Sequence, residues 1–140
     1  MSDITTLWSA ARLPIEDGLY FADGRSYAVA VAGAGLRLVE AFDLGELLAE
    51  DPEWLTSIDI TREIRVPGGY AVAGEGSHGS EGFFARLAED RSLVWVCYLS
   101  ESNPFGELAV ESSTLTATST SGLSLSLPLD RPDEALPTGD

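Results

Sequence analysis

The chain has no lysine: all eight basic residues are arginine, set against 23 acidic ones. That absence reads as the coding bias of a GC-rich, bacterial genome rather than as a mechanism. A single cysteine, Cys97, cannot close an internal disulfide, which suits a reducing cytoplasm. With only one histidine, His78, beside that one cysteine, the usual zinc ligand set is not available. No D-x-D/N-x-D/N-G run offers a calcium loop, so neither metal nor cofactor is expected. There is no run of 18 apolar residues, the length needed to span a bilayer as a helix. The start, "MSDITTLWSAARL", lacks the basic opening and apolar centre of a secretion signal, and the expectation is a cytoplasmic protein.

What is present fits one domain. A chain of 140 residues, 44% of them hydrophobic, can bury a real core but not two. The net charge is −15; the segment 130–140 carries −3 of it, leaving −12 on residues 1–129. The boundary is therefore read as a globular domain over 1–129 and an acidic, disordered tail over 130–140. A field of that sign repels nucleic acid and anionic membrane and steers a basic partner. It also keeps a small protein soluble, which is the plainer reading.

Periodicity predicts two helices. Ile4, Leu7, Trp8 and Ala11 fall at helical spacing behind Ser2 and Asp3, and the element stops before Pro14. "DLGELLAEDPEWL" is the internal helix, with Asp43 and Glu46 at capping-box spacing, and Asp51-Pro52 restarts a short turn. Trp8 and Trp54 are assigned to apolar helix faces and Trp95 to a buried strand. The rest alternates as strands. Asp23-Gly24 favours a tight hairpin, whose second arm sets Ala28, Ala30 and Ala32 on one face. "PGG" at 67–69 is another turn, and "LVWVCYL", apolar on both faces, is expected as a central strand covered on each side. "TLTATST" and "GLSLSLPL" close the chain, with Pro128 marking a sheet edge. Eight or nine short strands and two helices give an α+β fold, predominantly an antiparallel β meander, as a curved sheet or a half barrel.

The chemistry is thin. "GEGSHGSEGFFARL", residues 74–87, sets His78 among four glycines. A phosphate cradle would need a following helix and usually a lysine; here Glu75 and Glu81 flank the loop and a strand follows. Ser77 and Ser80 neighbour His78, but a serine–histidine pair must converge in space with an orienting acid, and the simpler reading is a hairpin linker. Cys97 lies within "LVWVCYL" and is read as an un-ionised core residue. With 23 acids, carboxylate pairs are always at hand and carry no signal. No catalytic set emerges, so the protein is read as not an enzyme.

Binding has more to offer. In "YLSESNPFGEL", Asn103 precedes Pro104 and is expected in an extended conformation. Phe105 follows as either a core residue or an interface anchor beside Glu101 and Glu107. If this loop shares a sheet end with the glycine-rich one, a single face would carry Glu75, His78, Glu81, Glu101, Asn103, Phe105 and Glu107 as partner-binding residues. With "WVCYLSESNPF" followed by a Ser/Thr-rich C-terminal hairpin, and with its acidity, the chain resembles the small acidic immunity proteins of bacterial polymorphic-toxin and contact-dependent inhibition systems. That resemblance implies an inhibitor that binds a basic toxin domain, a nuclease in the first instance, and occludes its active site. The rival readings are a small-ligand or assembly module with a pocket in the curved sheet, and an enzyme built on His78.

Overall fold

The computed structural model describes residues 2–133. Within them stand two helices, α1 (Asp3–Ser9) and α2 (Leu44–Glu50), and eleven strands. The strands are β1 (Arg12–Pro14), β2 (Gly18–Phe21), β3 (Ser26–Ala32), β4 (Gly35–Ala41), β5 (Leu55–Val66), β6 (Gly69–Gly76), β7 (Gly82–Ala88), β8 (Leu93–Leu99), β9 (Phe105–Glu111), β10 (Thr114–Ser119) and β11 (Ser124–Pro128). All described pairings are antiparallel. The fold is α+β with an antiparallel meander, as the alternation predicts, but the strands divide between two sheets. Eight form one sheet in the order β1-β5-β6-β7-β8-β2-β3-β4, and β11-β10-β9 form a second. The sheet is not closed into a barrel.

Three layers follow from which strands are apolar on both sides. In β8, Trp95, Cys97 and Leu99 face the small sheet and join Leu115, Ala117, Leu125, Leu127 and Leu129 in one core. Val96 and Tyr98 face the other way, into a core closed by Ile4, Leu7 and Trp8 of α1 and Leu44, Leu47 and Leu48 of α2. Trp8 meets Phe83 edge-on, with centroids 5.8 Å apart. Both helices are capped as expected: Ser2 Oγ accepts the Thr5 N–H and Asp43 accepts the Glu46 N–H.

A bulge in β5 decides which core its residues enter. Ile58, Ile60, Ile64 and Val66 alternate perfectly, so an unbroken strand would set all four on one face. The register shifts between Ile60 and Arg62. Beyond it Ile64 and Val66 join the small-sheet core, while Ile58 stays in the helix-side core and Ile60 is exposed. The extra residue reverses the faces, as a bulge must.

Other expectations shift. The alanine face of β3 is only half covered, with Ala32 exposed. Residues 130–133 of the acidic segment lie against the domain: Asp130 bonds the buried Arg86 at 3.2 Å, and Asp133 bonds Arg25 at 2.9 Å. Arg86 also donates to the carbonyls of Leu87 and Pro67, and Trp95 Nε1 donates to the Leu129 carbonyl at 2.8 Å. The remainder of the expected tail, 134–140, lies outside the described residues.

The β9–β10 turn is made by two serines in the left-handed region, Ser112 at φ 50° and Ser113 at φ 65°. A two-residue hairpin turn with both φ values positive prefers Asn-Gly. The double substitution Ser112→Asn, Ser113→Gly is expected to stabilise the protein by about 1 kcal/mol, since left-handed backbone costs ~1–2 kcal/mol per ordinary residue. Urea denaturation of the variant measures it directly.

Candidate functional site

Four segments meet at one end of the large sheet: residues 15–17, 51–54, 77–81 and 100–104. Backbone and short side chains bind them together. The Ile15 N–H donates to the Trp54 carbonyl at 3.0 Å, and the Asn103 N–H to the Ser80 carbonyl at 2.8 Å. The Ser100 N–H donates to Asp17 Oδ1 at 2.7 Å. The Ser77 N–H donates to Thr56 Oγ1 at 3.1 Å, joining the glycine-rich loop to the start of β5. Asn103 achieves its turn at φ 66°, not in the extended form that its proline predicts. Asparagine tolerates the left-handed region better than most residues, and the loop closure onto Ser80 uses that.

Glu81 sits at the centre of this end, only 2% exposed. Oε1 accepts from Thr56 Oγ1 at 2.8 Å, from the His78 N–H at 3.0 Å and from His78 Nδ1 at 3.2 Å. Oε2 accepts from the Tyr98 hydroxyl. Gly76 leaves room for the carboxylate: a Cβ there would lie 2.1 Å from Oε1. Burial by itself would raise the Glu81 carboxyl, but the hydrogen bonds from Tyr98, the His78 N–H, Thr56 and the His78 ring outweigh it and hold it below its ordinary 4.5. Burial, then the bond to Glu81, pushes Tyr98 far above its ordinary value, so the shared proton stays on the phenol. Burial likewise raises the Cys97 thiol, in a core with no cation beside it.

The site that results is a shallow hollow of about 330 Å³ lined by Ile15, Trp54, His78, Ser80, Glu81, Ser100 and Glu101. The structure thus brings His78, Glu81 and Glu101 together, as the shared-end expectation requires, with Asn103 bracing the loop beneath. It moves the other predicted contact residues elsewhere. Phe105 is fully buried, edge-on to Phe84 at 5.0 Å, so it is a core residue and no surface anchor. Glu81 is itself buried and contributes charge rather than a contact surface. Glu75 is half-buried on β6, opposite Gly82 and Asp59. Glu107 lies on the small sheet, beside Arg62 and Thr118.

Trp54 is the residue that periodicity misplaced. α2 ends at Glu50, so Trp54 is not on its apolar face but just ahead of β5, 40% exposed. The signal was Asp51-Pro52, which breaks the helix before the tryptophan is reached.

Chemically, Glu81 orients the His78 ring, and the other ring nitrogen has no protein partner among the described residues. The His78 side chain is 67% exposed, so the pair stands at an open surface. Among the described residues no three His, Cys, Asp or Glu side chains group as metal ligands, and no helix is long and apolar enough to cross a membrane. Two larger hollows lie apart from this end. One of about 400 Å³ runs past Asp3, Tyr27, Phe42 and Asp43, and one of about 490 Å³ past Phe21, Arg25, Leu93 and Asp130.

No family model, curated protein or solved structure matches the chain.

The lowered Glu81 sets a pH dependence. Its folded value lies below the unfolded one, so its stabilisation is complete above the ordinary 4.5 and is lost as pH falls through the lowered value. Urea denaturation from pH 7 to pH 3 should therefore show an acid-side loss that shrinks in Glu81→Gln. Tyr98→Phe, which removes one donor to a buried carboxylate, should cost about 1.5–3 kcal/mol at neutral pH.

Proposed function

We propose that the chain is a protein-binding inhibitor of the immunity type, which neutralises a basic toxin domain, a nuclease in the first instance, by occluding its active site. One observation carries the reading. The four segments that meet around Trp54 hold Glu16, Asp17, Asp51, Glu53, Glu81 and Glu101 and not one arginine. Elsewhere four of the eight arginines pair with neighbouring acids: Arg25 with Asp23 and Asp133, Arg65 with Glu89, Arg86 with Asp130, Arg91 with Glu63. That end thus carries six acids with no arginine among them, where a large aromatic is also uncovered. An exposed tryptophan within an acidic rim is the composition of an interface anchor facing a cationic surface.

In this reading the acids stand in for the phosphates of the toxin's substrate. They draw the partner in, and contact around Trp54 then holds it. Rim charges act chiefly on the association rate, and salt screens them over about 10 Å at 0.1 M.

The test is binding to the basic domain encoded by the neighbouring reading frame. Stopped-flow association should slow by about tenfold or more as NaCl rises from about 50 to 500 mM, while dissociation changes little. A missing complex would refute the inhibitor reading; a salt-independent association rate would refute its electrostatic part.

A further inference from the structure

We propose that the hollow at Trp54 receives the guanidinium of a single arginine on the partner's surface. For the partner this rests on the inhibitor reading; for the ligand it rests on the hollow's own chemistry.

Hydrogen-bond polarity selects the ligand. Glu81 is ionised and can only accept, so the Nδ1 facing it at 3.2 Å carries a proton. In the neutral ring Nε2 is then an acceptor at the open side. Glu101 is an exposed carboxylate in the same lining, and the Ser80 and Ser100 hydroxyls can accept. No cation lines the hollow except His78 when protonated. A rim of acceptors around an uncovered indole calls for a group that has donors only and can lie flat on a ring. Guanidinium, with five N–H donors and a planar face, meets both conditions; an ammonium meets only the first.

The chain's own surface shows the same pairing. Arg25 lies over Phe21 at 4.2 Å, and Arg65 and Arg91 over Tyr70 at 4.8 and 4.7 Å. Each of these arginines is also held by a carboxylate, from Asp23, Glu89 and Glu63 respectively. Ring, guanidinium and carboxylate therefore occur together at two rings of this chain, with three arginines. At Trp54 the ring and the carboxylate of Glu101 are in place, and the arginine is not supplied by this chain. A volume of about 330 Å³ is at the small end of ligand sites and suits one side-chain head rather than a helix or an extended peptide.

The test uses the whole chain, labelled with nitrogen-15, and three end-blocked amino acids: N-acetyl-arginine methylamide and its lysine and citrulline counterparts. Citrulline keeps the shape of arginine without its charge. The arginine probe should shift the Trp54 indole N–H and the amides of His78 and Glu101, with lysine weaker and citrulline inert. Trp54→Leu and Glu101→Gln should abolish the shifts while their spectra stay dispersed as in the native chain; Trp54→Phe should keep most of the response. Equal responses to the three probes, shifts centred elsewhere, or an unaltered Trp54→Leu would overturn the assignment.

The partner complex separates the two readings. There, Trp54→Leu should weaken affinity by about tenfold or more. If the complex forms and that variant stays within about twofold, the hollow is not the dock although the inhibitor reading stands. If the arginine probe seats at Trp54 and no basic partner binds, the hollow keeps its assignment and the inhibitor reading falls.

Discussion

The rest of the molecule depends on the burial of β7 and β8 on both faces. A strand that is apolar on each side must be covered twice, and a chain of this length has few ways to do it. Two seven-residue helices cover one face and a three-stranded sheet covers the other. With both covers in place, the loops at one end of the central strands have nowhere to go but toward each other. The β6–β7 and β8–β9 loops meet there, and the segments before β2 and β5 complete the rim.

A buried carboxylate then organises that end. Glu81 is held by four donors from three segments, and removing it from water is tolerable only because each oxygen is satisfied. Its charge has no arginine against it, which leaves the end of the sheet negative beyond what its exposed acids supply. Arginine–carboxylate pairs crowd the opposite end, around Tyr70, where they close surface rather than open it. The four segments at the Glu81 end hold acids and no arginine, so their charge is not offset locally.

Much of the fold was legible in the residues. The two capped helices, the turns at Asp23-Gly24 and Pro67-Gly68, the doubly buried β8 and the leucine face of β11 all follow from local pattern. The meeting of the glycine-rich and Asn-Pro loops was legible too, because adjacent antiparallel hairpins put alternate loops at the same end. Phe105 was ambiguous: an aromatic after a proline packs inward or outward according to what lies beneath, and here that is Phe84. Trp54 was misread because helical spacing outlasted the helix itself.

The sequence by itself determined element types, the number of layers a doubly apolar strand demands, and an acidic surface. Those rest on periodicity, capping and charge, which act over a few residues or over the whole chain. Only the tertiary structure decided that the C-terminal strands form their own sheet, that the β5 bulge sends Ile58 and Ile64 into different cores, and that Trp54 is uncovered beside Glu101. The physical reason is that register and proximity across long loops depend on which contacts can be satisfied together. No local pattern encodes that choice.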